Sequence, residues 1–239
     1  MLKKLIVSAL VAGFGAGVFI AVLQITLLSP MIMEAEEYES GALTHFTGAA
    51  DAPAHGDHDD GHATAHSHSH DTDESWVSRS ARTLLSTTLT SLGFAFVMVA
   101  GFGAAARSGI EVTARSGVLW GLAGFVAFML APAMGLPPEL PGSIAAPLED
   151  RQFWWIGTAI ASTAGIAAIA FGKNWAHWGA GVVLLALPHV IGAPVTDVYG
   201  GVVPPELQGE FVGLSLGVSA IGWAILGLLG GYAWAKQEA

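Results

Sequence analysis

No cysteine occurs in the 239 residues, so disulfide scaffolds, cysteine-based zinc sites, iron–sulfur clusters and thiol catalysis are excluded. Charge is scarce as well: 12% of residues are Asp, Glu, Lys or Arg, against roughly 25% in soluble domains. The little charge there is lacks a positive surplus. Nine Lys and Arg stand against 19 Asp and Glu, a formal −10. A general nucleic-acid binder is thereby excluded, because phosphate recognition needs a basic surface. Motifs with known mechanics are missing too. No G-x-x-x-x-G-K-[ST] loop is present to cradle ATP phosphates, and Gly172-Lys173-Asn174, the nearest string, lacks the hydroxyl residue. With no H-E-x-x-H either, an enzyme is not expected.

What is present is apolar. Hydrophobic residues make up 53% of the chain and the mean hydropathy is +0.57. The 31 glycines follow no collagen period, and in so apolar a chain they suit close-packed membrane helices. Charge-free runs cover 5–33, 83–106, 116–138, 152–172, 174–196 and 211–235. A helix needs about 20 apolar residues to cross a hydrocarbon core of roughly 30 Å. The runs therefore predict an all-α integral membrane protein, a six-helix bundle of three hairpins with outward loops. Outer-membrane strands, which alternate over about 10 residues, do not fit. The fifth span, 176–195, is the weakest because Pro188 and Pro194 fall inside it. Residues 1–29 form the first span, 30–82 an acidic loop and 83–239 the other five helices. The first span, led by Lys3 and Lys4, has an alternative reading as a signal peptide. Its apolar run is longer than an ordinary signal core of 7–15 residues, which favours a retained helix. If either the first or the fifth run fails to span, five helices remain.

The ends of these runs are not equivalent. Lys3, Lys4, Arg107, Arg115, Lys173 and Lys236 flank one side, with only Glu111 and Glu238 as acids. The other side holds Arg79, Arg82 and Arg151 among 17 acids. The positive-inside rule puts the first set, and both termini, in the cytoplasm and the acidic loops outside.

The acidic loop carries seven of the nine histidines: His45, His55, His58, His62, His66, His68 and His70. Asp57, Asp59, Asp60, Asp71, Asp73 and Glu74 are interleaved with them. Imidazole and carboxylate ligate Zn, Ni, Co and Cu(II), and Gly56, Gly61 and Ser67 lend the backbone freedom to converge on an ion. The tract reads as divalent-metal capture without a fixed geometry. The alternatives are a solvated acidic linker and a pH sensor, since imidazole titrates near pH 6.5.

Within the spans, Pro188-His189 stands out. His189 precedes Asp197 by eight residues, roughly 12 Å of helix, which puts an ionisable group in the outer leaflet. Gln24, Met31 and Glu34 recur on one helical face. With His189, Glu139 and Glu206 they are expected to form an oxygen- and nitrogen-rich mouth site. The opposing readings are a packing histidine and interfacial glutamates. His177, between Trp175 and Trp178, reads as part of an interfacial belt. The second and third hairpins echo each other: Pro132 precedes Pro137-Pro138-Glu139-Leu140 as Pro188 precedes Pro204-Pro205-Glu206-Leu207. G-x-x-x-G matches at Gly13–Gly17, Gly117–Gly121 and Gly213–Gly217 predict close helix approach.

Several segments together resemble a known family. They are the opening LKKLIVSALVAGFGAGVFIAVLQ, the LSPMIMEAEEYE that follows, the His/Asp tract, PPELPG (137–142), the Arg151–Trp155 segment and LPHVIGAP (187–194). In this order they resemble the CbtA-type cobalt transporter subunits over essentially the whole chain. The resemblance implies a bacterial inner-membrane protein tied to cobalt uptake for cobalamin synthesis. It also implies a small single-span, His-rich partner like CbtB. Carried onto this sequence, the family's candidate residues are Glu34, Glu37, Tyr38, the tract histidines, Glu139, Pro188, His189 and Glu206. Such proteins are often described with five spans, one fewer than counted here. No tightly bound cofactor is expected; Co²⁺, or Ni²⁺ or Zn²⁺, would be cargo. A nickel or zinc exporter and a non-transporting metal sensor or scaffold are the alternatives.

Overall fold

The structure, a computed structural model, describes residues 2–44, 75–196 and 200–237. The tract from His45 to Glu74 and Asp197 lie outside the described residues. The described residues form helices joined by loops, with no strand among them beyond one isolated bridge between Ser143 and Gly201. We number the helices α1 (Leu2–Glu39), α2 (Trp76–Arg107), α3 (Ala114–Ala133), α4 (Leu148–Phe171), α5 (Trp175–Ile191) and α6 (Pro205–Ala235). All but α5 are long and apolar enough to cross a membrane. At 17 residues, α5 rises only about 26 Å, at the short limit for a span. The all-α membrane bundle is as expected, and the expected weak fifth span is the short one.

Local chemistry sets the helix ends. The Ser75 side chain accepts from Ser78 N–H to start α2, and Thr113 with Ser116 closes a capping box at α3. Asn174 caps α5, and Gly192, at φ 90°, ends it in a conformation that a side chain would strain.

Two helices widen into a π-turn, α1 at Gln24–Leu28 and α3 at Val126–Leu130. Each turn lies just before a proline, Pro30 and Pro132. A proline ring collides with the carbonyl four residues earlier, here Thr26 and Phe128. An extra residue in the turn moves that carbonyl aside, so both helices continue past their proline.

Packing follows the glycines. The ideal Cβ positions of Gly13 and Gly17 on α1 would fall on the α2 backbone at Leu92 and Thr88. Gly117 and Gly121 on α3 meet Gly227 and Gly231 on α6 backbone to backbone. At Gly213 and Gly217 nothing approaches within 4 Å. The first two expected G-x-x-x-G contacts are real; the third is not used, and Gly227–Gly231 takes its place. The bundle is thus α1 on α2 and α6, with α6 along α3. α4 pairs with α5 and meets α3 mainly at its π-turn. The three-hairpin connectivity stands, but α5 and α6 are not a packed pair.

The core near the basic ends holds Phe102, Val99 and Trp234, with Lys4 Nζ 4.1 Å from the Trp234 ring centroid. At the opposite end Leu28, Met31, Ala35, Leu140, Val203 and Phe211 form a second cluster. Gln208 ties this end together. Its Oε1 accepts from Leu140 N–H at 3.0 Å and its Nε2 donates to the Pro138 carbonyl at 2.7 Å. Gln208→Ala would strand a half-buried donor and acceptor, a loss of about 1–3 kcal/mol. A thermal midpoint lower by roughly 5 °C in detergent is expected; an unchanged midpoint would show the two loops are held by their leucines alone.

Candidate functional site

All three loop-bearing helix pairs open toward the same end of the bundle, where α1 finishes and α2, α4 and α6 begin. At this end a cavity of about 690 Å³ lies between α3, α4 and α6. Its mouth is formed by Pro137, Pro138, Glu139 and Arg151, and its depth reaches Met129 and Ser219. Glu139 comes from the loop after α3 and Arg151 from the first turn of α4. Arg151 Nη2 donates to Glu139 Oε2 at 2.7 Å, with the side chains 29% and 27% exposed. The pair is therefore partly shielded from water while remaining reachable from the cavity.

A second cavity, of about 200 Å³, shares Met129 and Ser219 with the first. Gln24, Ser86, Thr87, Thr90 and Ser91 line it. Gln24, the first residue of the α1 π-turn, accepts from Thr87 Oγ1 at 2.6 Å. Met129 comes from the α3 π-turn. Gln24 lies ten residues before Glu34 and Ser219 nine after Glu210. At 1.5 Å per residue that is about 14–15 Å inside the acidic boundary, against roughly 26–30 Å from Lys236 and Lys4 at the basic one, so the cavity lies nearer the acid-rich end.

The residues expected at one mouth site are dispersed. Glu139 lines the large cavity and Gln24 the small one. Met31 is buried in the apolar cluster, with Tyr38 packed against it. Glu34, Glu37 and Glu206 are exposed on the last turns of α1 and the first turn of α6. Among the described residues, neighbouring Glu36 rather than Glu34 or Glu37 is paired, with two bonds from Arg79 Nη1 at 2.8 and 3.0 Å.

His189 occupies a separate groove between α3 and α5, otherwise lined by apolar side chains such as Leu130, Met134 and Val182. Its ring stands edge-on to Trp154 at 6.0 Å, and Trp154 Nε1 donates to the Pro188 carbonyl at 3.3 Å. The proline and histidine thus seat α5 on α4. Among the described residues, no three His, Asp or Glu side chains gather as a metal site. His177 Nδ1 lies 2.6 Å from Asn174 Oδ1, so that histidine belongs to the α5 cap. The candidates His45, His55, His58, His62, His66, His68, His70, Asp57, Asp59 and Asp60 lie outside the described residues.

Sequence reasoning passed over Ser86, Thr87, Thr90, Ser91 and Ser219. A signal was there: STTLTS, 86–91, is a dense hydroxyl run inside a span. Positions 87, 90 and 91 share one helical face. Arg151 entered only as a topology marker and as part of a resemblance.

A family model described as "Probable cobalt transporter subunit (CbtA)" matches residues 2–235. The chain belongs to the CbtA family. No curated protein and no solved structure matches it. Membership in CbtA makes it a subunit of a transporter and a multi-pass membrane protein, consistent with its long apolar helices. CbtA is a transporter class, not an enzyme class, and the word subunit implies partner chains. Within this CbtA fold the two cavities, each with a few polar side chains in a mainly apolar lining, are the built features of the described residues, rather than any histidine cluster.

Proposed function

We propose that the chain is the conducting subunit of a Co²⁺ uptake system of the bacterial inner membrane. The large cavity at the acid-rich end, with Glu139 and Arg151 at its mouth, carries this reading. Its charge surroundings favour cation influx. The acid-rich side faces outward by the positive-inside rule, attracts divalent cations and bears the His/Asp tract, 45–74. That tract concentrates metal ions and hands them to the mouth beside Glu139. Both termini are cytoplasmic, and a potential negative inside favours a 2+ ion by about 4.6 kcal/mol per 100 mV. A small single-span His-rich partner, as the family resemblance implies, completes the complex.

Radioactive cobalt uptake in cells with and without the chain tests this reading. Uptake above background is expected. Deletion of 51–74 should raise the half-saturating cobalt concentration several-fold without lowering the maximal rate. A tract reporter active in the cytoplasm would reverse the direction and point to an exporter. Metal binding without any flux would leave a sensor or scaffold.

A further inference from the structure

Three of the five hydroxyls around the inner cavity are bonded to no protein group among the described residues, while Ser86 donates to the Thr83 carbonyl and Thr87 to Gln24. Thr26, Thr83, Thr158 and Thr163 each donate back to the carbonyl four residues earlier, the usual way a helix absorbs such a group. Thr90, Ser91 and Ser219 line the cavity and take no protein partner among the described residues. The Ser91 and Ser219 oxygens are nevertheless not sealed off, unlike those of Thr88 and Ser162, which are buried without a partner, and Thr90 is exposed. At membrane depth, polar groups without protein partners are tolerated where they line a wet cavity.

The lining also limits what can be held there. Beside apolar groups such as Ile20 and Leu226 it contains amide and hydroxyl oxygens and one thioether, but no carboxylate and no imidazole. A bare divalent ion in so neutral a site would be prohibitively desolvated. An ion that keeps its water shell would not be, since Ser, Thr and Gln oxygens accept hydrogen bonds from those waters. The volume of about 200 Å³ is on the order of six water volumes at ~30 Å³ each.

Below the hydroxyls the cavity is closed by rings. Phe94 and Trp223 line its floor, with centroids 4.9 Å apart. Phe128 stacks on Trp223 at 5.8 Å and 3° and lies 5.3 Å from Phe94. On the far side the same three rings line a pocket of about 350 Å³ that is almost wholly apolar. Gly124 leaves the space in which the Trp223 ring lies against α3. The trio stands between the hydroxyl-bearing cavity and the apolar pocket, where a hydrophobic constriction would stand.

We infer that the inner cavity is the transit site for a divalent cation carried with its water shell, and that Phe94, Phe128 and Trp223 are its gate toward the basic end. This rests on the uptake reading and adds to it where the ion pauses, in what form, and what stops it.

The chain has no cysteine, so single introduced cysteines report unambiguously. In the full chain within the complete transporter, Ser91→Cys and Ser219→Cys should react with a charged, water-soluble methanethiosulfonate reagent. Ser162→Cys, fully buried on α4 away from the cavity, should not. Hexaamminecobalt(III), an exchange-inert mimic of a hydrated ion, should protect Ser219→Cys and inhibit cobalt uptake. The triple variant Thr90→Val, Ser91→Ala, Ser219→Ala should take up cobalt at least tenfold more slowly at equal membrane abundance. Cavity cysteines as inert as Ser162→Cys, no protection by the hexaammine ion, or wild-type uptake by the triple variant would each overturn the transit site. Absence of uptake by the wild type removes the uptake reading and the transit role with it. The two failures are separable, because labelling and protection need no flux.

Discussion

Gly121→Val should leave less than a tenth of the wild-type yield of monodisperse protein, measured by size-exclusion of detergent extracts. The α3–α6 contact has no room for a side chain. A Cβ on Gly121 would fall on the Trp223 carbonyl and within 3.2 Å of Gly227 Cα. One on Gly117 would fall on the Gly227 carbonyl, and one on Gly227 on that of Gly117. The obstacles are backbone atoms, so no rotamer change relieves the clash. Overpacking of this kind costs about 1–3 kcal/mol even where side chains can yield. In lipid the loss is harder to offset, because helix association rests on close packing rather than on expulsion of water. Separating α3 from α6 would also unseat Trp223, which packs beneath Gly124 in the ring floor. Gly213→Ala and Gly217→Ala, where nothing lies within 4 Å, should accumulate as the wild type does. If Gly121→Val were as abundant and as monodisperse as Gly217→Ala, the backbone-to-backbone packing of α3 and α6 would have to be abandoned.

The second large effect is expected at the cavity mouth. Glu139→Gln should slow cobalt uptake about tenfold at low cobalt, with little change in protein abundance. Gln is close to Glu in shape, so the PPELPG loop keeps its fold. The change is one of charge: Arg151, 2.7 Å away in the wild type, is left without its carboxylate and faces an incoming 2+ ion. At roughly 10 Å and an effective dielectric of about 40–80, that repulsion alone is about 1–2 kcal/mol, a factor of about ten. Adding Arg151→Gln should restore most of the rate, since the mouth is neutral again. The double variant thereby separates charge from shape. The defect should also shrink as ionic strength rises. His189→Ala, in its own apolar groove against Trp154, should change uptake by less than about twofold. A full rate for Glu139→Gln together with loss in His189→Ala would move the mouth to the α3–α5 groove.

That last contrast shows how much of the site was legible in the chain. His189 drew notice because an ionisable group in a span is rare and expensive, yet its surroundings make it part of the seat of α5 on α4. Glu34, Glu139 and Glu206 looked alike in sequence: acids at helix ends. Of the three, Glu139 alone lines either of the two cavities, because the Pro137-Pro138 turn carries it over the first turn of α4, where Arg151 lies. Glu206, in the echoing PPEL, stays exposed while its Leu207 packs against the apolar cluster as Leu140 does. The repeat therefore encodes a common leucine anchor and not a common acid. The run from Ser86 to Ser91 could have been noticed for its hydroxyl density. Its meaning needed Gln24 and Ser219, which lie on two other helices.

The sequence by itself determined that this chain is a bundle of apolar helices, with acid and histidine concentrated in the segments at one set of helix ends. Those properties are local: a run of uncharged residues partitions into lipid by its own composition, whatever its neighbours do. It also marked α5 as the weak member, because a proline can be read without knowing what surrounds it. Which glycines touch, which acid meets an arginine and which hydroxyls share a cavity were decided only by the tertiary structure. Each depends on the rotation and crossing of two or three helices. In a largely apolar bundle those are set by backbone contacts at glycine; a G-x-x-x-G spacing marks where a close approach can occur but not which helix it meets.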